Sequence, residues 1–132
     1  MIEGKFCSPR FLHTNGIVQL CLDKSGNYDE ASFISFGVDG DVWLWNHDEL
    51  EDAEYRPWRV GETTCGAVAW HGDNVFIGRV VCDERTNIKK HVVSKFLISD
   101  QFSTGKNVTA FALEVLSLDI SSSGRLLAAG SW

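Results

Sequence analysis

The chain of 132 residues has no run of about 18 consecutive apolar residues, so no membrane-spanning helix is expected. Its first ten residues contain no apolar core of the kind a secretory signal carries, so none is expected there. Positive charge is scarce: 12 Lys and Arg stand against 18 Asp and Glu, a formal net charge of −6. A duplex-binding module gathers cations to replace counterions, and this balance gives no such footprint. Closely spaced cysteines are lacking too. Cys7, Cys21, Cys65 and Cys82 form neither a zinc knuckle nor a redox C-x-x-C. Cys21 and Cys65 sit in alternating apolar runs, where cysteine acts as a small hydrophobe. Free thiols in a reducing compartment are the expectation, with disulfides as the alternative. No stretch of ten or more residues combines helical spacing with caps.

What is present is 44% hydrophobic residues with 12 glycines, enough apolar content for a packed core in one domain. The sequence also repeats itself. His13-Thr-Asn-Gly-Ile-Val-Gln-Leu-Cys-Leu-Asp-Lys-Ser-Gly26 aligns without gaps with Phe111-Ala-Leu-Glu-Val-Leu-Ser-Leu-Asp-Ile-Ser-Ser-Ser-Gly124. Ile17, Leu20 and Leu22 fall on Val115, Leu118 and Ile120, and Ser25-Gly26 on Ser123-Gly124. Each copy runs on to an apolar stretch ending in glycine, which matches Gly37 to Gly130, with about four extra residues in the first copy. A weaker middle copy is Cys65-Gly-Ala-Val-Ala-Trp70, the turn His71-Gly-Asp-Asn74, then Val75-Phe-Ile-Gly78, with Trp70 in the place of Leu22. Two units of about 40–45 residues fit the spacing between the outer copies.

Each unit reads as short alternating strands joined by turns. Val18, Leu20 and Leu22 fall on one face of the first strand, and Ile17, Gln19 and Cys21 on the other. Asp39-Gly40 is a hairpin corner. It leads into the strand Val42-Trp-Leu-Trp45, and a short fourth strand is expected around residues 58–60. Arg79–Lys90, with four basic and two acidic residues, reads as an enlarged loop without stacking aromatics, a feeble nucleic-acid signal. About four antiparallel strands per unit, repeated, describe the blades of a β-propeller. The expected fold is all-β. It comprises a lead-in strand over 1–12, a first blade over 13–60, a second over 61–110 and the start of a third over 111–132. That makes about two and a half four-stranded blades of an incomplete propeller. Its last face is expected to be bare and lined by Leu116, Leu118 and Leu126.

Gly37-Val-Asp-Gly-Asp-Val-Trp-Leu-Trp-Asn46 resembles the end of a WD40 repeat, and His13 stands four residues before the first strand anchor as the opening His of that family does. The resemblance implies a hydrogen-bonded structural tetrad, with His13, Asp39 and Trp45 in three of its places and Phe36 in the hydroxyl place. Ser35 lies one residue away, on the opposite face by that alignment. His13-Thr-Asn-Gly16, the acidic loop Asp48-Glu-Leu-Glu-Asp-Ala-Glu54, Val60-Gly-Glu62 and Ala128-Ala-Gly-Ser131 together resemble the amino-terminal propeller of a narrower family. This is the acidic nucleoplasmic DNA-binding protein family, also described as WD-repeat and HMG-box DNA-binding or chromosome-transmission-fidelity proteins. It implies a nuclear, non-catalytic scaffold at the replication fork, linking replicative helicase to primase–polymerase and acting in sister-chromatid cohesion. The partners implied are replisome proteins, with no small-molecule substrate, no membrane and no direct nucleic-acid binding by this segment. The alternative is a WD40 module of another intracellular complex, such as a ubiquitin-ligase receptor or a trafficking scaffold.

Catalytic chemistry finds little support. His13, Asp39 and Ser35 include the residue types of an acyl-transfer triad, but no G-x-S-x-G elbow exists. His13, His47, His71 and His91 are scattered and lack ligand spacing, and no phosphate-binding glycine loop occurs, so no metal or cofactor is expected. The candidate interaction residues are Trp43, read as a partly exposed aromatic anchor or as packing between blades, and Asp48, Glu49, Glu51, Asp52 and Glu54. That acidic loop reads either as a solvated connection or as a landing site for a basic partner.

Overall fold

A computed structural model describes residues 16–26, 33–37, 40–45, 58–59 and 67–132. These form ten strands and, among the described residues, no helix. The elements are β1 (Ile17–Leu22), β2 (Phe33–Gly37), β3 (Asp41–Trp45), β4 (Trp58–Arg59), β5 (Ala67–His71), β6 (Asn74–Asp83), β7 (Ile88–Leu97), β8 (Lys106–Phe111), β9 (Val115–Ile120) and β10 (Leu127–Ser131). They assemble as three separate antiparallel sheets, each ordered along the chain: β1-β2-β3-β4, β5-β6-β7-β8 and β9-β10. The described residues are thus all-β, with no closed barrel among them, and have the arrangement of a partial propeller.

Turn chemistry places the strands. Gly26 and Gly124, matched by the repeat, both take φ of 72°, a left-handed conformation that glycine adopts without penalty. Gly40, at φ 79°, closes the β2–β3 corner by donating its amide to the Gly37 carbonyl at 3.1 Å.

The two outer copies share a backbone irregularity. β1 carries a bulge between Ile17 and Gln19, and its equivalent in β9 lies between Val115 and Ser117. Leu22 pairs with Phe33 and Ile120 pairs with Leu127, while Ile17 pairs with Gly37 and Val115 with Ser131. Gly37 therefore matches Ser131, one residue beyond the Gly130 expected from sequence. The bulge also revises the expected bare face. Strict alternation puts Leu116 and Leu118 together, but the extra residue turns Leu118 inward with Val115 and Ile120, leaving Leu116 outside.

The core lies in two seams where sheets stack face to face. The first joins Ile34, Phe36 and Val42 of the first sheet to Val68, Trp70, Val75, Ile77 and Phe96 of the second. The second joins Ala67, Ala69 and Val93 to Val115, Leu118 and Ile120. Phe102, on the loop after β7, tucks into the first seam and stacks on Phe96 with centroids 5.5 Å apart. Asp73 anchors that loop, accepting the Ser99 amide at 2.7 Å and its hydroxyl at 2.6 Å.

Residues 79–90 are not a loop. β6 and β7 are ten residues each and pair from Asn74–Leu97 to Asp83–Ile88, leaving only residues 84–87 as the turn. The valines at 80, 81, 92 and 93 favour extended backbone, so charge at the far end of the arm does not interrupt it.

Where the second and third sheets meet, a Cβ built on Gly78 would lie 2.9 Å from the Val115 Cβ. Gly78→Val is expected to force these sheets apart and to cost about 1–3 kcal/mol, read as a lower urea midpoint. A midpoint equal to wild type would show that the seam is not closely packed.

Candidate interaction site

On β3 the side chains alternate. Val42 and Leu44 pack toward the second sheet, and Trp43 and Trp45 lie on the opposite face. There the Trp45 Nε1–H donates to the Ser35 Oγ at 2.8 Å, a buried bond. Phe33 stacks on Trp45 at 6.0 Å between centroids and Trp43 at 5.7 Å, so the indole of Trp45 is held between two rings.

This corrects the hydroxyl assignment. Ser35 pairs directly with Trp43 and Phe33 with Trp45, so Ser35 and Trp45 are diagonal neighbours on one face. Phe36 pairs with Val42 and enters the core instead. Counting outward from an Asp39-Gly40 corner would pair Ser35 with Leu44; the observed register is shifted by one residue and pairs Ser35 with Trp43. Of the two readings of Trp43, its 5% exposure agrees with packing rather than with a partly exposed anchor. His13 and Asp39 of the expected tetrad lie outside the described residues, as do Asp48, Glu49, Glu51, Asp52 and Glu54. The buried Ser35 hydroxyl, accepting from an indole, is not presented as a nucleophile.

Sequence reasoning passed over the residues that join the first two sheets. The Gln19 amide copies a peptide unit, accepting the Val68 N–H at 3.0 Å and donating to the Val68 carbonyl at 3.2 Å. The Asp23 carboxylate accepts the Gly72 amide at 2.8 Å while also holding the amide and hydroxyl of Ser25 in its own turn. The Lys24 amide donates to the Trp70 carbonyl at 3.0 Å. Asp23 looks like an ordinary turn residue in sequence; its second role depends on which strand lies alongside. Burial pushes the nearby Cys21 thiol above its usual pKa, so it stays protonated and packs as a small hydrophobe. Cys21 and Cys82 are free thiols.

The β6–β7 arm offers an exposed, mixed-charge surface. Ile88 and, on the edge strand β8, Val108 are exposed, alongside Arg85, Lys89 and Lys90. At its base the Arg79 Nε donates to the Ser94 Oγ at 2.9 Å, and that hydroxyl donates to the Asn107 Oδ1 at 2.8 Å. The Arg79 guanidinium lies 5.1 Å from the centre of the Phe96 ring, and desolvation lowers its pKa. At the tip Asp83 accepts the Arg85 amide at 3.0 Å, and such bonds hold its carboxyl below the ordinary 3.8. Among the described residues no cluster of three metal-ligating side chains occurs.

No protein-family profile matches the chain. Over 122 residues, 92% of this chain, it is 26% identical to mouse WD repeat and HMG-box DNA-binding protein 1. The chain spans 9% of that protein's length. The similarity agrees with the resemblance drawn from the sequence motifs and with the three-sheet fold.

Ser35→Ala leaves the Trp45 N–H buried without its acceptor and is expected to lower stability by about 1–3 kcal/mol in urea unfolding, with Ser35→Thr much closer to wild type. Equal midpoints for Ala and wild type would remove the bond's structural role. Because the folded-state pKa of Asp83 is depressed, its hold on the tip turn is complete above the unfolded value and is lost as pH falls through the folded one. The protection factor of the Arg85 amide, with the intrinsic pH dependence of exchange divided out, is therefore expected to fall as pH drops through the folded value, and Asp83→Asn to flatten that dependence. A wild-type protection factor independent of pH in that range would contradict it.

Proposed function

We propose that this chain is part of a non-catalytic protein-interaction scaffold of the WD-repeat type. The observation that carries the reading is the repeated seam, in which successive inner strands β1, β5 and β9 lie side by side and each sheet packs its face on the next. Stacked rigid sheets hold their connecting segments on a broad surface, an arrangement suited to gripping proteins rather than small substrates. The 26% identity to a WD repeat protein supports the same reading.

The finer proposal is a nuclear adaptor at the replication fork that links replicative helicase to primase–polymerase and serves sister-chromatid cohesion. It rests on the sequence resemblance, on the acidic segment 48–54 and on the net charge of −6, which suits basic protein surfaces better than bare DNA. Affinity purification of the full-length protein from nuclear extract is expected to recover helicase and primase–polymerase subunits. Charge reversal at Asp48, Glu49, Glu51, Asp52 and Glu54 is expected to weaken that recovery most at low salt. Recovery of neither subunit, with the protein outside the nucleus, would overturn the adaptor reading while leaving the scaffold reading intact.

A further inference from the structure

The middle hairpins of the first and second sheets correspond row by row, but they end at different heights. Phe33 and Phe36 of β2 correspond by strand pairing to Val75 and Gly78 of β6, so the row Phe36–Val42 matches the row Gly78–Val93. Beyond that row β2 and β3 close through the turn at Gly40. β6 and β7 instead add five more rows, from Arg79–Val92 to Asp83–Ile88. At about 3.3 Å per residue this is a ribbon of roughly 16 Å. β5 pairs no further than Gly78 and β8 no further than His91, so among the described residues the rows Val81–Lys90 to Asp83–Ile88 have no third strand. The second sheet has a described sheet on either side, and its ribbon overshoots the first because the hairpin is longer.

One side of the ribbon continues a face that is buried lower down. Val75, Ile77 and Phe96 pack on the first sheet, and alternation carries that side upward to Val81 and Lys90, then to Asp83 and Ile88. There Ile88 is 56% exposed, Lys90 is exposed, Val81 is half-buried and Arg85 stands exposed in the turn. The Asp83 carboxylate is engaged within the turn, by the Arg85 amide at 3.0 Å and by Thr86. The upper part of this side is therefore an apolar strip flanked by two cations. Charge is also unevenly shared along the chain. Residues 79–91 carry four cations and two anions, a balance of +2, so the remaining residues carry −8 of the net −6.

We propose that this side of the ribbon is a docking strip for an extended acidic peptide segment of a partner protein. Its carboxylates meet Arg85 and Lys90, and an apolar side chain between them covers Ile88 and Val81. The inference rests on the scaffold reading of the stacked sheets and is independent of the replication-fork role. A short acidic segment can lie on the ribbon alone, clear of the anionic remainder of the chain. A long nucleic-acid polyanion would meet that remainder as well, and the ribbon has no aromatic ring on which bases could stack. The strip is narrow, so the contact is weak and salt-sensitive.

The test is fluorescence polarisation of a labelled ten-residue peptide, two isoleucines set among aspartates and glutamates, with the full-length protein. Binding is expected with a Kd below about 1 mM and should weaken severalfold as salt rises from about 0.05 M to about 0.5 M. Lys90→Glu and Ile88→Ser are each expected to weaken it by about five- to tenfold, as is serine in place of the peptide's isoleucines. Replacing residues 81–90 by Asn-Gly is expected to abolish it. That excision suits the fold because Val80 and His91 are direct cross-strand partners, as a two-residue hairpin turn requires. Lys106→Glu makes the same charge change on β8, away from the ribbon, and is expected to leave binding as it was. The substituted side chains are exposed, so urea midpoints should match wild type. No binding at about 1 mM peptide, undiminished binding after the excision, or an equal loss from Lys106→Glu would each overturn the proposal. A 20-base-pair duplex held through the ribbon more tightly than the peptide would overturn it in favour of nucleic acid. None of these failures touches the scaffold reading, which the affinity purification tests separately.

Discussion

A β-sheet with two apolar faces cannot cover either of them alone, and this chain resolves that by stacking. The second sheet makes the point most fully: Trp70, Val75, Ile77 and Phe96 face the first sheet while Ala67, Ala69 and Val93 face the third. Strand pairing within each sheet satisfies the backbone, but burial comes almost wholly from neighbours. The polar seams serve the same end. Gln19 and Asp23 satisfy backbone groups where the inner strands meet, so the first two sheets are held in register as well as in contact.

The outer architecture follows from what that stacking leaves free. Segments away from the inner strands are under less packing constraint, and the β6–β7 arm extends past the reach of β5, with charged residues toward its tip. Phe102 shows the opposite case. At φ 59° it adopts a conformation costly for a bulky residue, and burial of its ring against Phe96 offsets that cost.

Much of this was legible in the residues. The repeat between 13–26 and 111–124 announced hairpins that end in glycines with the same φ, because turn geometry depends on a few neighbouring positions. The alternation of Val42-Trp-Leu-Trp45 predicted its two faces because side-chain period in a strand is local. What failed depended on pairing. A one-residue bulge moved Leu118 to the other face and displaced the match of Gly37. A one-residue misalignment put Phe36 in the place of Ser35. Residues 79–90 looked like a loop because charge density suggests solvent, although an exposed hairpin meets the same solvent with its backbone paired. Most of the candidate interaction residues lie outside the described residues, so that part of the reading stands on sequence.

The two seams are built from different sizes of side chain, and this limits how the units can be exchanged. Phe36, Trp70 and Phe96 fill the first, whereas Ala67, Ala69 and a bare Gly78 line the second. A unit duplicated or transplanted from one position to the other would bring bulk where there is no room, or a void where bulk belongs. Units equivalent in strand pairing are thereby non-interchangeable parts. Recombination within the array should be tolerated only when a sheet travels together with the neighbour it was fitted to.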